Sequence, residues 1–250
     1  MFGYENLRTK DPVKDADLDL ESGSGGRLYP SISYGENQLR WGLIRKVYGI
    51  LTAQLLLTTI VSFAVVFYAP LTNLLQEGSG FIYVFLILPF VLIWPLQVYH
   101  QKHPVNLVLL GLFTVSLSFL IGSTCAITDG KIVLEALILT LAVVASLTGY
   151  TFWASKKGKD FGFLQPILLT SLVILLLVSF VQMFFPLGST STAAYAGVGA
   201  IVFCGYIVFD TDNLIKRFTY DEYILASTAL YLDILNLFLR ILQILREAQK

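Results

Sequence analysis

The chain contains seven runs of mainly apolar residues, and each run is about as long as a bilayer is thick. They lie at residues 47–69, 80–99, 104–127, 132–153, 163–185, 193–213 and 224–245. An α-helix needs about 20 such residues to cross the hydrocarbon core of a membrane. Helices of this kind satisfy their own backbone hydrogen bonds inside lipid. The sequence therefore predicts an all-α membrane protein, a bundle of seven transmembrane helices.

The composition and charge agree with a membrane protein. Of the 250 residues, 56% are hydrophobic and 14% are charged, whereas soluble domains carry about 25% charged residues. The formal net charge is zero, so we expect no nucleic-acid partner. Cys125 and Cys204 lie inside apolar runs, which indicates buried small side chains rather than a disulfide framework. We expect no cofactor.

The polar N-terminal segment is distinct from the apolar remainder. Residues 1–40 include an acidic stretch and a Gly-Ser-Gly-Gly segment at 23–26, and they contain no apolar core of a signal peptide. This composition is typical of a disordered tail. We therefore expect a cytosolic tail at 1–40 and a transmembrane domain at 41–250.

Basic residues divide unequally between alternate loops, which predicts the orientation. One set of loops carries nine of them and the opposite set carries Lys131 alone; the nine are Arg40, Arg45, Lys46, Lys102, Lys156, Lys157, Lys159, Lys216 and Arg217. The positive-inside rule then places the N-terminus in the cytosol. Seven crossings place Arg246 and Lys250 on the far side. The alternative is a last helix that dips into the membrane and returns, but its run is long enough to span.

Two aspartates within the last two apolar runs are the strongest candidates for a functional site. An ionised carboxylate at the centre of a bilayer costs about 2.5–3.5 kcal/mol on insertion scales. Asp210 and Asp233 therefore need a partner, water, a bound cation or a proton. Two neighbouring carboxylates resist being ionised together, so a pair shares a proton or binds a cation.

The spacing of the two aspartates places them at the same depth. The midpoint of the interval falls between Asp221 and Glu222, so a helical hairpin turning there brings Asp210 and Asp233 level, up to about 17 Å from the turn. Asp212 is the alternative to Asp210 as the partner of Asp233, and it is also a candidate for lining the pathway. It lies about 200° away around the helix, so we expect only one of them to point inward. Asp210 is deeper in the apolar run, which favours it.

The last helix also carries a polar stripe. Its members are spaced 3, 4, 3 and 4 apart, on one helical face: Asp233, Asn236, Arg240, Gln243 and Glu247. Because such a stripe is costly in lipid, it predicts a central helix with the stripe lining an internal path. The alternative is an amphipathic helix on the membrane surface. Arg240 is either a counter-ion or snorkels to the interface. Asp129 and Glu135 lie near the non-cytosolic ends of the third and fourth runs. They either draw cations to the mouth of a pathway or serve ordinary loop and helix-start roles.

Three segments resemble the transmembrane Bax-inhibitor-motif family. They are residues 45–55 (RKVYGILTAQL), 206–211 (YIVFDT) and 229–242 (ALYLDILNLFLRIL). The resemblance covers about residues 40–250 and is closest to a plant-like member of the Lifeguard branch. It implies a seven-helix bundle whose last helix is wrapped by the other six. It also implies a multi-pass protein of the endoplasmic reticulum or Golgi.

The resemblance further implies a function. Members are linked to a pH-responsive calcium leak and to suppression of programmed cell death, with cell-death regulatory proteins as partners. The family's pH-sensing dyad corresponds to Asp210 and Asp233, with Ca²⁺ as the permeant ion and a transient ligand of both. Bacterial relatives latch this dyad with an arginine on the second helix. Residues 81–99 contain no arginine or lysine, so the chain departs from the family there.

Three other functions fit parts of the pattern. A non-conducting membrane protein that acts through partners would use the two aspartates as a structural hydrogen-bonded pair. An intramembrane aspartyl protease also places one aspartate on each of two helices, but Asp233 lacks the neighbouring glycines that would admit a substrate backbone. A seven-helix receptor usually has its N-terminus outside the cell, opposite to the orientation that the basic residues predict here. We expect no enzyme.

Overall fold

The computed structural model describes residues 27–68, 80–186 and 188–249, and all the regular secondary structure in these ranges is helical. Each of the seven long helices overlaps one of the seven apolar runs. They are α1 (Tyr34–Phe67), α2 (Gly80–Val98), α3 (Val105–Ala126), α4 (Gly130–Lys156), α5 (Leu164–Gln182), α6 (Ser189–Lys216) and α7 (Tyr223–Ala248). Six of them are long and apolar enough to cross a membrane, and α2 contributes the shorter apolar segment Ile87–Val98. The prediction of an all-α, multi-pass membrane protein is confirmed.

The first helix begins earlier than its apolar run. It starts at Tyr34, and Leu28 and Ile32 before it are buried. Arg40 donates a hydrogen bond to the carbonyl of Phe218, at 3.1 Å. Residues 27–40, which we expected in the tail, are therefore structured because they pack against the turn between α6 and α7. The rest of the expected tail, residues 1–26, lies outside the described residues.

The last helix is the most buried of the spanning helices. The share of buried residues in its most apolar stretch is 61%, against 11–44% in the other five candidate spans. It packs against α1, α3, α4 and α6, whereas α2 packs mainly on α3 and α5 mainly on α6. The central position predicted for this helix is confirmed, and four neighbouring helices surround most of it.

The last two helices form an antiparallel hairpin that runs the full length of the bundle. A short 3-10 turn, Tyr220–Glu222, joins them, and Thr219 and Glu222 form a capping box there. At the other end, the Ser189 hydroxyl donates to Glu247 Oε2 at 2.7 Å. A helix that dips in and returns is inconsistent with this continuous α7, which ends beside the start of α6.

Hydrogen bonds between side chains connect α1, α3 and α7 inside the bundle. The Thr58 and Tyr231 hydroxyls lie 2.7 Å apart. Ser118 donates to Thr58 at 3.1 Å, and Gln54 donates to Thr114 at 3.2 Å. Lipid tails provide little hydrophobic drive for helix association, so packing and hydrogen bonds of this kind hold such bundles together. They fix the position of α7 against its neighbours.

A glycine brings α1 and α3 into close contact. A Cβ atom at Gly122 would lie 2.8 Å from Cβ of Val65 and 3.0 Å from Cα of Ser62. Small residues at this kind of interface allow helix backbones to approach. The same helix carries Gly111, which has no atom within 4 Å of its Cβ position, so the two positions form a matched pair.

We predict that Gly122→Ala destabilises the bundle by about 1–3 kcal/mol because the added methyl overpacks the contact between α1 and α3. Gly111→Ala is the control, and it should be neutral or stabilising by up to about 1 kcal/mol, the helix-propensity difference. Thermal unfolding of both variants in detergent measures the effect. Equal stability of the two variants would contradict the close approach.

Candidate functional site

The hairpin of α6 and α7 brings Asp210 and Asp233 together. Their carboxyl groups lie within hydrogen-bonding reach of each other. Asp233 is only 6% exposed, and Asp210 is half-buried. The pairing follows from the sequence spacing, because the turn at Tyr220–Glu222 lies midway between the two positions.

The pair has few polar partners. Asn213, one turn after Asp210, donates to its Oδ1 at 3.3 Å. Tyr206, one turn before it, lies close enough to interact electrostatically with both carboxyl groups. Asp233 Oδ2 is shielded from solvent and finds no donor among the described residues. Buried polar atoms nearly always have a partner, so this oxygen is suited to a proton, a water molecule or a passing cation.

No basic side chain neutralises the pair in the part of the chain that the structure describes, since none of the ion pairs found there involves Asp210 or Asp233. Arg240 lies two turns away on α7 and contacts Tyr195 and Gln243 instead, at 3.4 Å and 3.2 Å. It is therefore not a counter-ion of the pair in this structure.

The described ranges also hold no cluster of three or more His, Cys, Asp or Glu side chains that could bind a metal ion.

Asp212 lies in a different environment from Asp210. It is fully buried, and its carboxylate pairs with Lys216 and accepts from the backbone N–H of Phe161 at 3.2 Å. We expected only one of the two acids to point inward, whereas the structure buries Asp212 fully and Asp210 in part. The cause is the loop between α4 and α5, which covers the side of α6 opposite Asp233.

Four charged side chains form what we term the loop ion cluster: Asp160, Asp212, Lys216 and Arg217. Asp160 lies 3.0 Å from Arg217 and 3.7 Å from Lys216. Burial works to raise the pKa of Asp160, but the charges of Arg217 and Lys216 and the backbone N–H of Gly162 together lower the pKa below its usual range. The cluster therefore keeps this exposed carboxylate ionised.

Hydrogen bonds connect the loop ion cluster to the acid pair. Arg217 donates to Asn213 Oδ1 at 2.7 Å, and Asn213 donates to Asp210. Sequence reasoning missed this connection. The signal was present in the spacing, because Asp210 to Asn213, Asn213 to Arg217 and Asp212 to Lys216 are three or four residues apart, where helical side chains meet.

The polar stripe of α7 lies partly along a cavity. Its volume is about 260 Å³, and its walls are formed by Thr124, Asn236, Leu239, Arg240, Leu242, Gln243 and Arg246. Of the residues that we expected to line a path, Asn236, Arg240 and Gln243 do line this cavity. Asp212 and Glu135 are not among its wall residues.

Glu135 is half-buried on α4, and the nearby Asp129 caps that helix by accepting from the N–H of Lys131 at 2.8 Å.

Comparisons with known proteins identify relatives over nearly the whole chain. A family model described as "Inhibitor of apoptosis-promoting Bax1" matches residues 40–250. A "BI1-like protein" from Arabidopsis thaliana is 67% identical, covering 98% of this chain and 97% of the relative. "Protein LIFEGUARD 4" from the same plant is 52% identical over 92% of this chain and 96% of its own length. The "Golgi anti-apoptotic protein" of vaccinia virus (strain Lister) is 36% identical over 88% and 91%.

We predict that Lys216→Met destabilises the protein by about 3 kcal/mol, because it leaves the carboxylate of Asp212 buried without its cation. Adding Asp212→Asn should recover most of the loss. Lys157→Met, an exposed lysine at the same end of the bundle, is the control and should have little effect. Chemical denaturation of the four proteins measures the difference. A double variant as unstable as Lys216→Met would show that Asp212 does not depend on this lysine.

Proposed function

This chain belongs to the Bax1-inhibitor family, and on that premise we propose that it is a pH-sensitive calcium leak that suppresses programmed cell death. The observation that carries the proposal is the pairing of Asp210 with Asp233 inside the bundle. A pair of acids without a basic partner responds to protons and to cations. The matched family is not one of proteases, so the enzyme alternative is set aside.

The acid pair provides a mechanism for gating. When the two carboxyl groups share a proton, their hydrogen bond holds α6 against α7, and the pathway is closed. When both ionise, they repel each other, and two charges in an apolar interior attract water and cations. The hairpin then loosens at the depth of the pair, which opens the pathway. Loss of the shared proton is thus the event that links pH to conduction.

The chemistry of the pathway suits calcium. Ca²⁺ binds six to eight oxygen ligands, which include carboxylates and amide oxygens. Asp210 and Asp233 offer only two carboxylates, and such a small set favours transient contact over tight binding. Asn236, three residues after Asp233, adds an amide oxygen on the same face of α7. A calcium ion that reaches the pair would meet this amide and the two acids.

The relatives support the physiological part of the proposal. The vaccinia relative is named a Golgi anti-apoptotic protein, and the family model is described as an inhibitor of apoptosis-promoting Bax1. We therefore assign this chain to the Golgi or the endoplasmic reticulum, with suppression of cell death as its role. The bias of basic residues among the loops supports a cytosolic N-terminus.

A second candidate function is a non-conducting membrane protein that acts through cell-death regulatory proteins. The hydrogen bonds that join Asp210 to Asn213 and Arg217 favour it, because they are what a structural role of the pair requires. Flux measurements distinguish the two functions.

We predict that purified protein in liposomes conducts calcium in a pH-dependent manner, and that Asp210→Asn with Asp233→Asn abolishes the pH dependence because amides do not titrate. A calcium-sensitive dye inside the liposomes reports the flux across a pH series. Asp221→Asn is the matched control: it removes an exposed acid from the turn of the same hairpin, and its flux should titrate like that of the wild type.

Two outcomes would overturn parts of the proposal. If flux through the double variant titrates as in the wild type, the pair is not the sensor. If the folded wild type conducts no calcium at any pH, the leak itself is excluded and the non-conducting function is favoured.

A further inference from the structure

Two arginines reach into the cavity along α7. Arg240 and Arg246 are both wall residues, together with Asn236 and Gln243. The cavity lies in the half of α7 beyond the acid pair, towards the end of the bundle where Ser189 of α6 meets Glu247. Guanidinium groups remain charged at any physiological pH, so two positive charges border this space.

The neighbouring helix α6 holds Arg240 in place. A Cβ atom at Gly199 would lie 2.9 Å from Arg240 Nε, so the glycine provides the room for this side chain. The guanidinium stacks on the ring of Tyr195, with its central carbon 4.8 Å from the ring centroid. The Tyr195 hydroxyl is itself fixed, since it donates to the carbonyl of Leu175 at 2.8 Å. Arg240 is therefore preorganised.

Neither arginine has an anionic partner among the described residues. Among residues 27–68, 80–186 and 188–249, no carboxylate forms an ion pair with Arg240 or Arg246. Arg246 Nε is shielded from solvent and makes no hydrogen bond with any residue that the structure describes. Glu247 is the next residue, but it is not a wall residue of the cavity and accepts from Ser189. Both side chains are half-buried, and a partly desolvated charge without a counter-charge is costly, so an anion in the cavity would stabilise them.

We propose that this cavity binds a phosphate group, either on a lipid headgroup or free in solution. The planar donors of arginine match the oxygens of phosphate and bind them in pairs. Gln243 accepts from Arg240 through its oxygen, which leaves its amide NH₂ group to donate to the ligand. A volume of about 260 Å³ greatly exceeds the share of one water molecule, about 30 Å³, so the cavity has room for the group.

The test measures thermal unfolding of the full-length protein in uncharged detergent. One series adds inorganic phosphate, with chloride at matched ionic strength as its reference. The other adds short-chain phosphatidic acid, with the corresponding diacylglycerol, which lacks the phosphate, as its reference. We expect a saturable rise of Tm with phosphate or phosphatidic acid, since a ligand that binds the folded state stabilises it, and no saturable rise with chloride or diacylglycerol.

Variants assign the effect to the cavity. Arg240→Gln and Arg246→Gln should each weaken the apparent affinity by at least about tenfold, which is the loss of one charge-assisted hydrogen bond. Arg246→Gln is informative even if Arg240→Gln fails to fold, because no described hydrogen bond of the protein depends on Arg246 Nε. Lys131→Gln is the control: it removes an exposed cation at the same end of the bundle, and it should leave the affinity unchanged.

The outcomes identify the source of the phosphate group. A response to phosphatidic acid alone assigns a lipid headgroup, and a response that includes inorganic phosphate assigns free phosphate as a ligand as well. The proposal is overturned if neither probe gives a saturable shift, or if Lys131→Gln weakens binding as much as the arginine variants do. Because the readout is unfolding, the result is independent of whether the protein conducts calcium.

Discussion

The structure depends on the burial of two carboxyl groups between α6 and α7. Such groups are expensive inside a bilayer, and they cannot face lipid. This constraint explains why α7, the helix with the polar stripe, is the most buried of the spanning helices and why its neighbours contact it with polar side chains. The hydrogen bond between Thr58 and Tyr231 attaches α7 to α1, and the one from Ser118 to Thr58 attaches α3 to α1. Together they hold α7 so that Asp233 meets Asp210.

The charged groups around the acid pair have different partners and therefore different roles. Asp210 and Asp212 are two residues apart, yet one faces another acid while the other is paired with Lys216. The difference arises from their surroundings: α7 covers one side of α6, and the loop after α4 covers the other. Arg240 is held by Tyr195 away from the acid pair. The pair is thus left without a cation among the described residues, which is the condition that the proposed pH response requires.

Much of this architecture could be predicted from the sequence because strong local patterns encode it. Apolar runs of bilayer length predict the helices, and the stripe on the last run predicts its central position. The equal depth of Asp210 and Asp233 follows from their spacing about the turn. The structural surroundings of Asp212 could not be predicted in this way, since they depend on Phe161, 51 residues earlier. The contact of Arg240 with Tyr195, 45 residues away, is equally non-local.

The central claim is that Asp210 and Asp233 titrate as a unit. Infrared spectroscopy of the carboxyl stretch, recorded across pH on the purified protein and on Asp210→Asn, tests it directly. Interacting acids lose their protons in steps that belong to the pair, so replacing Asp210 should shift the pH at which Asp233 loses its proton. If the Asp233 signal titrates identically with and without Asp210, the two acids are independent and the account is contradicted.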